Sequence, residues 1–172
     1  MTDIVKWPDP RLEQKAEPVP HGERCRELIE DMFASLGPTG IGLAAPQIGV
    51  MKRIIVINVP LGGIGQHGTN RQKLAIINPV MTWAKPGMIE GKEGCLSFPG
   101  IEVSIPRYMR ITVQGYDVRW SPMTHTARNL VARVLQHEMD HLEGRCLATY
   151  ARMIDELEQA RLAKINAEMA GE

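Results

Sequence analysis

Cysteine is sparse in this 172-residue chain, which carries only Cys25, Cys95 and Cys146. Three thiols are too few for a disulfide scaffold and suit a reducing compartment. Net charge is lacking too. The 20 Lys and Arg residues balance 20 Asp and Glu, so there is no electrostatic case for nucleic acid or an anionic membrane. No apolar run approaches the roughly 20 residues needed to span a bilayer. The opening MTDIVKWPDPR lacks a signal-peptide apolar stretch and is not of the Arg/Ser-rich transit type. Cytoplasm is the expected location. There is no internal repeat and no low-complexity segment. What remains is an ordinary globular composition, 44% apolar and 23% charged, at a length that fits a single domain over residues 1–172.

Residues 1–20 hold Pro8, Pro10, Pro18 and Pro20 and read as an extended arm. From His21 to Leu36 the apolar positions Cys25, Leu28, Ile29, Met32, Phe33 and Leu36 recur at helical spacing, and Gly37-Pro38 ends that helix. Cys25 on that face is expected to be a small core residue. GIGLAAPQIG (40–49) is neither a good helix nor a good strand, and without a Gly-Lys-Ser/Thr ending it is no phosphate loop. Residues 52–59 form a β-branched run that predicts a strand. Residues 60–71 predict a loop, and strands follow over 73–81, 82–90, 101–105 and 109–116. Residues 120–126 are polar and turn-like. A helix is expected from a Thr126 N-cap to Glu143, closed by Gly144, and a second long helix over about 150–169. Short strands first and helices late predict an α+β fold with antiparallel or mixed sheets packed around a central helix, flanked by an N-terminal and a C-terminal helix.

The chemistry concentrates in QHEMDHLEG, Gln136 to Gly144. His137 and His141 are four apart, so on a helix both imidazoles reach one metal ion. Glu138 lies about 100° round the helix, close enough to a water on that ion without being a ligand. Leu130 and Val134 continue the same stripe and are candidates to line an apolar pocket, to form core, or both. A catalytic site keeps three protein ligands and one open position. A third His six residues after His141 is excluded, because position 147 is Leu. Glu156 and Glu158 lack a recognisable context. Cys95, in a tight turn beside Gly94, is a better candidate than Cys146, since a thiolate binds Zn²⁺ or Fe²⁺ strongly.

GIGLAAPQ (40–47), EGCLS (93–97) and QHEMDH (136–141) resemble, in order, the three motifs of the peptide deformylase family; PDPRL (8–12) and IPR (105–107) resemble further family patterns. The similarity runs from about residue 5 to 150. It implies a metal-dependent hydrolase that removes the formyl group from N-formylmethionyl polypeptides, giving formate and a free amino terminus. The resemblance implies Fe²⁺, with Zn²⁺, Ni²⁺ or Co²⁺ able to substitute, held by Cys95, His137 and His141. It gives Glu138 the proton-transfer role, and assigns the Gln47 side-chain amide and the backbone N–H of Leu96 to the developing oxyanion. Gly42 and its neighbours would pair with an extended peptide, and Ile41, Leu130 and Val134 would take the methionine side chain. A transient ribosome contact through the C-terminal helix is a further expectation. Asp140 reads as a solvent-facing charge or a partner of Arg107, and Arg133 as a surface charge or a residue at the pocket mouth.

Two rivals remain from the residues alone. A zincin-type peptidase would draw its third ligand from a downstream Glu, and a non-catalytic structural metal site would close all four positions with protein. Cys95→Ala separates them. The deformylase reading predicts that this variant loses both metal and formate release from formyl-Met-Ala, as checked by metal analysis of anaerobically purified protein; retained metal with cleavage of internal peptide bonds supports the zincin.

Overall fold

The computed structural model describes residues 2–60, 71–153 and 155. Residues 61–70 of the expected loop and most of the long C-terminal helix, with Glu156 and Glu158, lie outside them; Pro60 and Arg71, the ends of that loop, are strand residues. Helix α1 spans Arg26–Leu36. Seven strands follow: β1 Gly42–Ala44, β2 Ile54–Pro60, β3 Arg71–Ala84, β4 Met88–Cys95, β5 Phe98–Tyr108, β6 Arg110–Tyr116 and β7 Pro122–Arg128. Helix α2 is Asn129–Leu142, and residues 147–153 and 155 are again helical. Strands β1, β2, β3, β6 and β7 form one antiparallel sheet in the order β1-β2-β3-β6-β7, while β4 and β5 form a separate hairpin. This is the α+β architecture expected, with every strand pair antiparallel. No helix among the described residues is long and apolar enough to cross a membrane.

The run Ile54-Ile55-Val56-Ile57 is continuous because β2 is covered on both sides. Successive side chains point to opposite faces of a strand. Ile55, Ile57 and Val59 therefore meet Val134, Leu135 and Leu142 of α2. Ile54 and Val56 meet Ile29, Met32 and Leu36 of α1 on the other side. Buried Phe98 and Ile105 seat the hairpin on Cys146 and Leu147.

Three expectations need correction. The strand expected over 73–81 and the return over 82–90 are one 14-residue strand followed by the start of β4. Register shifts between Ile77/Val80 and Met81/Trp83 mark bulges, which is where a strand tolerates Pro79. Thr126 is not an N-cap: it pairs with Thr112 inside β7, and the helix begins three residues later without a side-chain cap. The polar stretch 120–126 is correspondingly mostly strand. It looked turn-like because β7 is an edge strand whose inward face is only half-buried Met123 and His125 and the small Ala127, too weak an apolar alternation to mark a strand. Cys25 is buried as expected but sits just ahead of α1 rather than within it.

Ile55→Ala, in the fully buried centre of β2, is expected to cost about 2–5 kcal/mol in urea unfolding, and Val80→Ala, 57% exposed, less than about 1 kcal/mol.

Candidate metal centre and cleft

Helix α2 turns His137 and His141 to one side, with ring centroids 5.1 Å apart. Cys95, the last residue of β4, meets them from the hairpin. Its Sγ lies 3.4 Å from Nε2 of His141, and one ligand atom from each of the three residues falls within 4.8 Å of the others. The donor set fits a divalent transition metal, because one thiolate and two imidazoles are borderline-soft ligands.

Glu93, which sequence reasoning overlooked, explains why the arrangement holds. It lies two residues before Cys95, so both side chains leave β4 on the same face. Its Oε2 accepts from Nδ1 of His137 at 2.9 Å. That bond turns Nδ1 to Glu93 and leaves Nε2 to face the other ligand atoms; burial opposes charge on His137, but its bonds with Cys95 and Glu93 win and raise its pKa. Glu93 also pairs with Arg107 through Nε and Nη2, both at 2.9 Å, and with Arg133 Nη1 at 2.9 Å. Burial opposes its ionisation, but the bonds from His137 and Arg107 win and hold its pKa at about 2. The signal available in the sequence was the acid beside the cysteine in KEGC together with an arginine in IPR, with nothing to show that they meet.

Asp140 is buried, and it accepts from Arg107 Nη1 and from the Tyr150 hydroxyl, both at 2.5 Å. The solvent-facing reading of Asp140 is thus wrong, and the link to Arg107 is present. Arg133 is not a free surface charge either. Its guanidinium donates to the carbonyls of Ile89, Gly91 and Ile105 as well as to Glu93, clamping the hairpin to α2, and it also lines the cleft.

A cleft of about 490 Å³ opens over these donors, lined by Ile41, Gly42, Gln47, Leu96, Leu130 and Val134 together with Cys95, His137 and Glu138. His141 lies behind it, 1% exposed. Leu130 and Val134 serve both readings, since they also pack on the core of α2 and β2. Gln47 is 1% exposed; its Oε1 accepts from the Ala44 N–H at 2.8 Å, and its Nε2 reaches Cys95 Sγ at 3.3 Å and Ser97 Oγ at 3.2 Å. Glu138 is buried, with Oε2 unpartnered among the described residues. Burial, chiefly, pushes its pKa up to about 7, where a carboxylate can both take and return a proton. Burial lowers the pKa of His141, which favours the neutral imidazole a ligand requires.

A helix carrying HExxH, a thiolate brought in from a separate hairpin and an open cleft define the class: a metal-dependent hydrolase of α+β fold. The family model described as polypeptide deformylase matches residues 1–160. The peptide deformylase of Thermomicrobium roseum is 43% identical over 143 residues, 82% of this chain and 80% of that protein. The crystal structure of peptide deformylase from Ehrlichia chaffeensis superposes with a TM-score of 0.79 at 35% identity, covering 94% of this chain and 97% of that one. A second Ehrlichia chaffeensis structure, in complex with actinonin, gives a TM-score of 0.79 at 39% identity over 87% and 88%. The chain belongs to the polypeptide deformylase family, whose members are enzymes that release formate from the formylated amino terminus of polypeptides.

Glu93→Gln is expected to weaken metal binding by about 10–100-fold, since the imidazole loses its charged partner, with competition against a chelator as the measurement.

Proposed function

We propose that residues 1–172 act as one catalytic domain that hydrolyses the formyl amide of N-formylmethionyl polypeptides with Cys95, His137, His141, Glu138, Gln47 and Leu96. The observation that carries the reading is the convergence of a strand-end thiol and two helix imidazoles beneath a cleft whose lining includes Glu138, a buried carboxylate with one oxygen unpartnered among the described residues. Cys95, His137 and His141 would hold a divalent ion, with Fe²⁺ expected and Zn²⁺, Ni²⁺ or Co²⁺ suited to the same donors. When bound, such an ion supplies Lewis acidity and makes water acidic enough to act as a nucleophile near neutral pH.

The chain's own groups do the rest. Glu138 takes a proton from the attacking water and returns it to the leaving nitrogen. The formyl C–N bond breaks, leaving formate and a free amine. The oxygen that gains charge on the way needs preorganised donors, and the Gln47 amide and the Leu96 N–H are suited to that task. Gln47 is held by its bond to the Ala44 N–H, so its donor end is aimed before substrate arrives.

Substrate placement follows from β1. It lies at the edge of the sheet, paired among the described residues with β2, and the backbone at Gly40–Gly42, which lines the cleft, is suited to pair with an extended peptide. Backbone pairing accepts any sequence, as an enzyme acting on many chains requires. Gly42 has no room for a side chain: a Cβ there would lie 2.7 Å from Val134 and closer still to the Glu138 carboxylate. Ile41, Leu130 and Val134 give the cleft the apolar wall that suits a methionine side chain. A transient ribosome contact and a cytoplasmic location complete the proposal, in keeping with substrates that are newly made chains.

Glu138→Gln tests it. Formate release from formyl-Met-Ala is expected to fall by about 10²–10⁴-fold, with metal content retained, since the variant keeps the shape and the three donors but loses the base. Wild-type turnover in that variant would remove Glu138 from the mechanism.

A further inference from the structure

We infer that the N-terminal arm is a positioning strap for the turn that follows Cys95, with Lys6 as the side chain that fixes it. The inference rests on the donor roles proposed for Gln47 and Leu96.

Cys95 and Phe98 are register partners, so the hairpin turn consists of Leu96 and Ser97 alone. Residues 5–7 run across its outer side. The Val5 N–H donates to the Gln47 carbonyl at 2.8 Å, and the Trp7 N–H donates to the Ser97 carbonyl at 3.0 Å. Between them Lys6 Nζ donates to the Leu96 carbonyl at 2.5 Å. The Trp7 ring stacks on Phe98 at 5.9 Å between centroids. From the inner side Gln47 Nε2 reaches Ser97 Oγ at 3.2 Å. One short segment thus touches both elements that carry the proposed oxyanion donors, and sets their spacing.

The strap is tied at both ends. The Thr2 N–H donates to Ser35 Oγ of α1 at 3.0 Å, and the Ser35 hydroxyl returns a bond to the Thr2 carbonyl. Further on, Leu12 is fully buried and the Ala16 N–H donates to the Leu142 carbonyl at the end of α2. The bonds from Val5 and Trp7 are backbone bonds that any sequence could make. Lys6 is the part the sequence chooses. Its ammonium makes a charge-assisted bond, stronger than a neutral one. Holding the Leu96 carbonyl outward fixes the Leu96–Ser97 peptide plane, and because the Cys95–Phe98 pairing closes a turn of only two residues, that constraint passes through Leu96 to the neighbouring plane that carries its N–H. Lys6 touches no substrate in this scheme and acts only through the turn.

Lys6 is exposed, so its replacement spares the core. The experiment compares wild type, Lys6→Met and Lys6→Arg by formate release from formyl-Met-Ala, thermal unfolding, and amide hydrogen exchange at residues 96–97 in metal-free and metal-loaded protein. Lys6→Met is expected to lower kcat on the order of 3- to 10-fold, a small displacement at a catalytic donor, with KM within about twofold and Tm unchanged. Exchange at the turn is expected to accelerate with or without metal, and Lys6→Arg to restore both readouts. Wild-type kcat and exchange in Lys6→Met would overturn the inference, as would an equal defect in Lys6→Arg. Should the wild-type protein release no formate, the proposed function fails, while the exchange comparison still decides whether Lys6 holds the turn.

Discussion

Two elements that share no strand pairing have to deliver ligand atoms to one point. The hairpin β4–β5 carries the thiol, α2 carries the imidazoles, and a buried network of charges joins them. Glu93 and Asp140 supply two carboxylates; Arg107 and Arg133 supply two guanidiniums that bridge hairpin and helix, and the Tyr150 hydroxyl closes the cluster. Buried charges of this kind are costly unless each is satisfied. Here each of the four charges is bonded more than once, and the half-exposed Arg145 adds a third guanidinium on Asp140 Oδ1 at 2.9 Å. Losing one member would leave the others uncompensated at about 3–5 kcal/mol, so the network tolerates little variation in how hairpin and helix meet. Gln136 adds a neutral clasp, accepting from the Tyr108 N–H and donating to its carbonyl.

This division suits the proposed chemistry. Below the cleft, Glu93, Arg107, Arg133, Asp140 and His137 are held by ionic and hydrogen bonds, while the buried Nδ1 of His141 has no partner among the described residues. Above these residues, β1 is three residues long, and Gly42 at its start, with Gly40 and Ile41 just before it, lines the cleft. Glu138 stands at the boundary. Its Oε2 has no partner among the described residues and its pKa is raised by burial, a state retained only where a reacting molecule completes it. A cation at the three donors would pull that pKa down, so the carboxylate is poised between its two forms.

Much of this was legible in the sequence because it is local. Four-residue spacing puts His137 and His141 on one helix face whatever the fold, and the apolar run of β2 announces a strand buried on both sides. The Gly-rich stretch 40–49 read as neither helix nor strand, and it is a three-residue strand followed by a 3-10 turn over Ala45–Ile48. What stayed hidden depends on contacts between distant residues. Glu93 was passed over because its partners, Arg107, 14 positions on, and His137, 44 positions on, are distant in the chain. Asp140 stayed open between a solvent-facing charge and a partner of Arg107 for the same reason, since helical periodicity cannot show that a second element covers the face. The strand β7 went unseen because the inward face of this edge strand is weakly apolar, and that error placed the N-cap of α2 at Thr126 instead of Arg128, two residues early.

The measurement that bears most directly on the central claim is X-ray absorption spectroscopy at the edge of the bound metal, on wild-type protein and on Cys95→Ser. The account predicts one sulfur scatterer together with imidazole scattering in the wild type, and loss of the sulfur contribution in the variant. A wild-type spectrum of nitrogen and oxygen ligands alone, or a sulfur contribution that survives the substitution at residue 95, would contradict it.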